Sequence, residues 1–172
     1  MNQYVALLRG INVGGKNIIK MADLKTCFEA QGLMHVRTYI QSGNVLFITD
    51  DPNKSQLTGL LEDALSKAFQ YQSTVVLRSE GEMSSIVDHA PQDFGADPGI
   101  YRYDVIFLKE PLTAAEAMRS ITTKDVVDQA FAGDGVMYFS RLISRASQSY
   151  LTRIASLPVY QSVTIRNWTT TT

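Results

Sequence analysis

Apolar positions along the chain fall into two kinds of pattern, short two-sided runs typical of buried strands and longer runs at helical spacing. The first half reads as strand "QYVALL", helix "MADLKTCFEAQG", strands "VRTYIQ" and "NVLFIT", helix "SQLTGLLEDALSKAF" and strand "STVVLR". The two middle strands meet at "SGN", where Gly43 supplies the backbone freedom that a tight hairpin needs. This β-α-β-β-α-β order is that of a ferredoxin-like domain.

The second half shows the same order of elements without residue-level identity to the first. Strand "RYDVIFLKE" and helix "TAAEAMRSI" precede a hairpin at "GDG", then helix "SQSYLTRIASL", which Pro158 ends, and strand "YQSVTIRN". The segment before them, "EGEMSSIVDHAPQDFGADPG", predicts a short helix and a Pro/Gly-rich connection. We therefore expect an α+β chain of two ferredoxin-like halves, residues 1–79 and 101–172, joined by residues 80–100 and packed into one compact unit.

Several strands are apolar on both sides, which an open antiparallel sheet does not require. An exposed sheet face normally alternates polar residues, so both faces are expected to be covered. The simplest cover is the other half of the chain, and a homodimer is the second choice. The pattern predicts burial of Val5 and Leu7 on one side of the first strand and of Ala6 and Leu8 on the other.

Charge is distributed unevenly although the net charge of the chain is only −1. Residues 1–49 carry five basic and two acidic side chains, residues 50–134 carry seven and fifteen, and residues 135–172 carry four and none. The basic ends would form a positive surface if the fold brought them together, or they are simply solvated. The near-neutral total itself predicts no strong attraction to nucleic acid or to an anionic membrane.

The sequence contains no pattern typical of a membrane helix, an internal disulfide or a metal site. No stretch approaches the ~20 apolar residues of a membrane helix, and the only cysteine, Cys27, excludes an internal disulfide. The N-terminus is read as a strand rather than a signal peptide. His35 and His89 are the only histidines, and neither has the spacing of a metal ligand or a catalytic triad. We expect a cytoplasmic protein with no metal or cofactor, and no reaction is predicted.

The segments "YVALLRGINVGGKN", "MADL", "VRTYIQSGNVLF" and "TIRNW" resemble the DUF1697 family of bacterial proteins. The resemblance covers nearly the whole chain. It implies an α+β fold and a cytoplasmic location, but no established activity and no catalytic residues. It also implies a further apolar helical segment after "RNW", whereas four threonines follow Trp168 here.

The segment "RGINVGGKN", residues 9–17, is called the glycine loop below. Its spacing from Gly10 over four residues to Gly15 and Lys16 is that of a nucleotide-binding phosphate loop, but Asn17 stands where Ser or Thr is needed for Mg²⁺. Helical spacing also starts only near Met21, and hairpins replace the parallel sheet of such enzymes. The sequence therefore argues against a phosphate-loop NTPase.

Strand order places the glycine loop next to the turn at "QSGN", because both lie at one edge of a ferredoxin-like sheet. The polar groups expected to meet there suit a small anionic or nucleotide-like ligand. Arg9 and Lys16 are expected to face one solvent-accessible concavity. The predicted ligand-binding residues are Arg9, Asn12, Gly14, Gly15, Lys16, Asn17, Gln41, Ser42 and Asn44. Alternatively, the asparagines and Ser42 only satisfy turn backbone.

A second candidate site lies at the end of the last strand, at Arg166, Asn167 and Trp168. These residues have the chemistry to stack on and hydrogen-bond a base or ligand ring, although the favoured interpretation of Trp168 is an anchor for the tail. Two alternative functions stay open: a nucleic-acid-associated module that uses the basic ends, and an interaction protein without a small-molecule site. Phe47 lacks the stacking partner typical of RNA-binding sheets, which counts against RNA.

Overall fold

A computed structural model describes residues 1–41 and 43–172 of the chain. It contains eight strands and five α-helices among these residues, and it divides into two compact units, Met1–Glu82 and Met83–Thr172. The elements of the first unit, the last of which crosses the division, are β1 (Asn2–Leu8), α1 (Met21–Glu29), β2 (Met34–Tyr39), β3 (Asn44–Thr49), α2 (Lys54–Phe69), β4 (Val75–Ser79) and α3 (Glu80–Asp88).

The second unit holds the remaining strands and helices, together with three consecutive 3₁₀ turns before its last strand. These elements are β5 (Tyr101–Leu108), α4 (Ala114–Ser120), β6 (Asp128–Ala132), β7 (Val136–Leu142), the 3₁₀ turns Ile143–Gln148, Tyr150–Ser156 and Pro158–Ser162, β8 (Val163–Asn167) and α5 (Trp168–Thr171). The chain is therefore a mixed α+β protein.

Each unit contains one four-stranded antiparallel sheet. The strand orders are β2-β3-β1-β4 and β6-β7-β5-β8, so the first strand of each unit lies in the centre beside the last. Val5 pairs with Leu46 of β3 and Arg78 of β4, and Val105 pairs with Tyr138 of β7 and Arg166 of β8. Both hairpins predicted from "SGN" and "GDG" are confirmed, because β2 pairs antiparallel with β3 and β6 pairs antiparallel with β7.

The core of the first unit lies between its sheet and its helices. Leu57, Leu61 and Leu65 recur on one side of α2 and are all buried against the sheet. The side chain of Asn53 accepts a hydrogen bond from the backbone N–H of Gln56 and so caps the start of this helix. Helical spacing in the sequence is thus matched by a long amphipathic helix.

Burial of β1 agrees with the sequence prediction at three of four positions. Ala6, Leu7 and Leu8 are 0%, 3% and 1% exposed, whereas Val5 is only partly buried. Since Leu7 points to the opposite side from Ala6 and Leu8, both sides of the strand's second half are enclosed. The prediction of complete burial is wrong for Val5.

The predicted helix over "SQSYLTRIASL" is wrong, because this stretch forms 3₁₀ turns rather than an α-helix. Hydroxyl side chains compete here for backbone carbonyls: Thr152 Oγ1 donates to Ser149 O at 2.7 Å, and Ser156 Oγ donates to Arg153 O at 2.7 Å. Leu151 and Ile154 still face the core. The apolar residues are therefore buried although the predicted helix type is incorrect.

Candidate functional site

The glycine loop forms a small hairpin that projects from the end of β1. Lys16 N–H donates to Val13 O at 3.1 Å, which closes a turn whose central residues Gly14 and Gly15 have φ of +59° and +73°. Positive φ at both central positions is the geometry of a type I′ turn, which glycine adopts without strain. Asn12 N–H donates to Asn17 O at 3.1 Å and extends this hairpin.

Two asparagine amides hold the base of this hairpin. Asn12 Nδ2 donates to Ile19 O and to Gln41 O, at 3.1 and 3.0 Å, while its Oδ1 accepts from Ile19 N–H at 2.8 Å. Asn17 Nδ2 donates to Gly10 O at 2.9 Å. Both asparagines have positive φ, +52° and +48°, a region that asparagine tolerates better than most residues. The loop is therefore held in a defined conformation by its own side chains.

The loop packs against the turn that joins β2 and β3, as strand order predicted. Ile11 is 1% exposed, and a Cβ added at Gly43 would lie 2.8 Å from Ile11 Cδ1 and 3.0 Å from Leu8 Cβ. Leu8 N–H donates to Gly43 O at 2.9 Å. Only glycine fits at this point, because Ile11 occupies the space that a side chain would need.

The predicted ligand-binding residues differ in their exposure and in whether their side chains already bind backbone. Asn44 is buried and its Nδ2 donates to Tyr39 O at 3.0 Å, so its amide supports the turn as Asn12 and Asn17 support the loop. Arg9 is half-buried. Ser42 lies outside the described residues. The exposed members of the predicted set are Gly14, Gly15, Lys16, Asn17 and Gln41.

The end of the loop carries the groups that remain accessible. Within residues 1–41 and 43–172, the backbone N–H groups of Gly14 and Gly15 have no hydrogen-bond acceptor, and Lys16 is exposed beside them. Val13, the first residue of the turn, and Ile18, which follows Asn17 at the base of the hairpin, are 64% and 76% exposed. The end of the loop thus offers donors and one positive charge.

The second candidate site at the end of β8 is structural in its main contacts. Burial lowers the pKa of Arg166 to about 10, and its Nη1 donates to Thr164 Oγ1 at 2.8 Å. Asn167 Oδ1 accepts from Thr170 N–H and caps α5. The Trp168 ring packs edge-on against Phe94, with centroids 5.1 Å apart. This packing agrees with the interpretation of Trp168 as an anchor.

Sequence reasoning did not identify a buried group of ionisable side chains in the second unit. Asp128 Oδ2 accepts from the backbone N–H groups of Lys124 and Tyr150, at 2.8 and 2.9 Å. Arg141 Nη2 lies 3.9 Å from Asp104 Oδ2, and burial raises the pKa of Asp104 although Arg141 opposes this shift. The available signal was an acid inside each of two apolar strands. Within the described residues, no cluster of His, Cys, Asp and Glu suits a metal ion.

None of the helices among the described residues combines the length and the apolar character needed to cross a bilayer.

The fold thus defines an α+β protein with two four-stranded antiparallel sheets, each with its first and last strands side by side. Residues 1–138 match the model of the family described as "Protein of unknown function (DUF1697)". The chain belongs to this family, as the resemblance of its motifs implied.

Similarity to solved structures extends over the whole chain. A conserved bacterial protein, SP0830 from Streptococcus pneumoniae, is 29% identical, with a TM-score of 0.82 over 99% of this chain and 94% of that one. An unknown protein from Galdieria sulphuraria is 14% identical over 96% of each chain, but its TM-score is only 0.29. The first likeness shows a shared fold, and the second supports no argument. The search of curated proteins found no match.

Proposed function

We propose that the protein binds a small anionic or nucleotide-like ligand at the end of the glycine loop. Lys16 supplies the charge, and the N–H groups of Gly14 and Gly15 supply hydrogen-bond donors. Arg9 and Gln41 line the approach from β1 and from the neighbouring turn. Asn12, Asn17 and Asn44 belong to the site as supports that hold the loop and the turn, since their amides already bind backbone. A concavity shared by Arg9 and Lys16 stays a prediction.

The observation that carries this proposal is the length of the loop compared with its counterpart in the second unit. We infer that residues 1–79 and 101–172 are two ferredoxin-like halves joined by residues 80–100, because their strand orders match. The connection from β1 to α1 has twelve residues, whereas the connection from β5 to α4 has five. The same strand-to-helix step thus needs far fewer residues than the first half uses.

The additional residues are held in a defined backbone conformation. Asn12 and Asn17 both have positive φ, which asparagine tolerates better than most residues, and their amides donate to the backbone carbonyls of Ile19, Gln41 and Gly10. An extended loop with accessible donors at its end and internal clamps at its base is therefore better explained by binding than by connection alone.

A thermal-shift experiment with inorganic phosphate, pyrophosphate and a panel of nucleotides tests the proposal. Ligand at a hundredfold its Kd stabilises the folded protein by about 2.7 kcal/mol, so a binder should raise the Tm clearly. Lys16→Ala should abolish the shift, whereas Lys67→Ala, an exposed lysine on α2, should leave it intact. A panel without any shift, or a shift that survives Lys16→Ala, would overturn the proposal.

An interaction surface without a small-molecule site is the second candidate, favoured by the exposure of Val13 and Ile18. Apolar side chains that are 64% and 76% exposed on a rigid loop suit contact with another protein. The double variant Val13→Ser with Ile18→Ser should then abolish capture of a partner while leaving any phosphate-dependent shift unchanged. Retained capture would exclude these side chains as the contact.

Nucleic-acid binding through the basic ends is less well supported. Arg166 is buried, Arg145 donates to Gln148 Oε1, and Arg153 stacks on the Tyr150 ring at 4.2 Å. Arg141 lies beside Asp104, so all four C-terminal arginines have partners within the second unit and are poorly placed to neutralise phosphates.

A further inference from the structure

The second unit contains a cavity of about 170 Å³ that the proposed ligand site does not use. Its floor is the face of the sheet that carries Tyr101 and Tyr103 of β5, Gln129 of β6 and Ser140 of β7. The chain between α3 and β5 forms its other wall. Pockets for drug-sized ligands have volumes of about 300–1,000 Å³, so this cavity fits a small group of a few heavy atoms.

The cavity is lined with aromatic rings at fixed angles. The rings of Tyr101 and Tyr103 lie 6.1 Å apart with their planes inclined by 49°. Phe94 packs edge-on against Tyr103, with centroids 4.9 Å apart, and is itself held against Tyr138 and Trp168. The rings are therefore immobilised by neighbours within the same unit, and two tyrosines present angled walls to the cavity.

Negative charge accompanies these rings. Asp93 and Asp97 both line the cavity, and neither carboxylate has an ion-pair or hydrogen-bond partner in the part of the chain that the structure describes. None of the described lining residues is Lys or Arg. The backbone N–H of Asp97 donates to Tyr103 Oη at 3.1 Å, which ties the acidic segment to the aromatic floor.

We propose that this cavity binds an organic ammonium ion, such as a quaternary or methylated ammonium group. Aromatic rings attract cations electrostatically, and this attraction favours weakly hydrated methylated ammonium over Na⁺ or K⁺. Asp93 and Asp97 add the charge complementarity that selects a cation over a neutral apolar group. Both aspartates are exposed to solvent, so they attract a cation and repel an anion without needing a buried partner.

Choline, titrated against the intact protein at constant ionic strength, tests this proposal by NMR. The matched neutral compound is 3,3-dimethylbutan-1-ol, which has the same shape without the charge. Choline should produce saturable shifts at Tyr101 and Tyr103 and contacts from its methyl protons to both rings, whereas the alcohol should not. Equal binding of the two compounds, or no saturable shift with choline, would overturn the proposal.

Variants separate the ring contribution from the charge contribution. Tyr101→Leu keeps an apolar wall and should weaken choline binding about two- to fivefold, the range expected for an exposed cation–π contact. Asp97→Asn should also weaken it and reduce its dependence on salt, whereas Asp134→Asn, an exposed acid outside the cavity, should have no effect. Unchanged choline affinity in both Tyr101→Leu and Asp97→Asn, with native spectra, would contradict the assignment.

Discussion

The two units reach the same strand order through different connections. At the end of β1, Leu8 N–H bonds Gly43 O and Arg9 N–H bonds Thr74 O, at 2.9 and 3.1 Å. At the end of β5, Leu108 N–H bonds Gly135 O and Lys109 N–H bonds Ser162 O, at 3.0 and 2.8 Å. From these equivalent points the first unit enters the glycine loop, while the second turns within five residues into a capped helix.

The connection before the last strand differs as well. The first unit uses the sixteen-residue helix α2, and the second uses three 3₁₀ turns. One long helix has a single start and a single end, whereas three short 3₁₀ turns have several, and the backbone groups at each start and end need other partners. In the second unit Asp128 accepts from one such group, Tyr150 N–H. The same four-stranded sheet can therefore pack against an α-helix or against 3₁₀ turns, provided that the packed segment supplies apolar side chains and that its backbone groups find partners.

Truncation of a buried apolar side chain in α2 or in the 3₁₀ turns should have the largest effect on stability. It tests whether the two segments contribute equally to the cores of their units. Leu61→Ala should lower the free energy of unfolding by about 3 kcal/mol, because a fully buried leucine leaves a cavity. Ile154→Ala, at 6% exposure, should cost about 2 kcal/mol. Urea unfolding measures both. The neighbouring Leu60→Ala, at 44% exposure, is the control, and a loss as large as that of Leu61→Ala would contradict the assigned helix face.

Substitution of Gly43 tests the contact between the glycine loop and the turn that joins β2 and β3. The second unit has no such contact, because its five-residue connection from β5 to α4 contains no comparable loop. Gly43→Ala should cost about 2–3 kcal/mol, since it combines a left-handed backbone with overpacking against Ile11. Gly32→Ala is the matched control, because its φ of +80° is nearly the same but no atom lies within 4 Å of an added Cβ. It should cost about 1 kcal/mol. If Gly43→Ala and Gly32→Ala lost equal stability in thermal unfolding, the Ile11 side chain would have moved aside at no energetic cost.

Removal of the Asp128 carboxylate tests whether the 3₁₀ turns need a side-chain acceptor for their backbone N–H groups. Asp128→Ala should cost about 2 kcal/mol, because the backbone N–H groups of Lys124 and Tyr150 lose their acceptor. Asp134→Ala, an exposed acid between β6 and β7, should change stability by less than about 0.5 kcal/mol. Denaturant unfolding of both variants decides the question, and indistinguishable midpoints would mean that the 3₁₀ turns do not depend on Asp128.

The smallest predicted effect compares the starts of α3 and α4, where Glu82 and Glu116 each accept a hydrogen bond from the backbone N–H three residues earlier in the chain. Burial raises the pKa of Glu82, but hydrogen bonds from Lys54 and Ser79 N–H outweigh it, so the pKa lies below its ordinary value of 4.5. The resulting stability is present above that ordinary value and is lost as pH falls through the lower folded-state pKa. Glu82→Gln should cost about 0.5 kcal/mol at pH 7, since the side chain is 41% exposed.

This cost should shrink as unfolding is measured at pH values falling below 4.5 toward pH 3, because the carboxylate of Glu82 takes up a proton as the pH falls through its lowered pKa. Glu116→Gln at the start of α4 should act in the same direction, because hydrogen bonds from Thr113 lower the pKa of Glu116. A Glu82→Gln penalty that is the same at pH 7 and pH 3 would show that the ion pair with Lys54, at 2.7 Å, is not linked to folding.

Much of the architecture was predictable from short-range patterns. Both hairpins, the helix α2 and the meeting of the glycine loop with the turn at Gly43 follow from local spacing and strand order. The family was indicated by the resemblance of its motifs. The 3₁₀ turns were not predictable in this way, because Leu151 and Ile154 have the same apolar spacing in either helix type. Their outcome depends on competition between hydroxyl groups and backbone for the same carbonyls.

The sequence alone determined which segments form strands, where the chain turns and which basic residue stands at the end of the glycine loop. Only the tertiary structure decided how polar groups are shared out: Asn12 and Asn44 bind backbone, while the Gly14 and Gly15 N–H groups stay accessible. Turn and strand preferences are set by φ, ψ and periodicity within a few residues. Hydrogen-bond partners such as Gln41 O for Asn12 come from distant parts of the chain, and their identity exists only once the strands have paired.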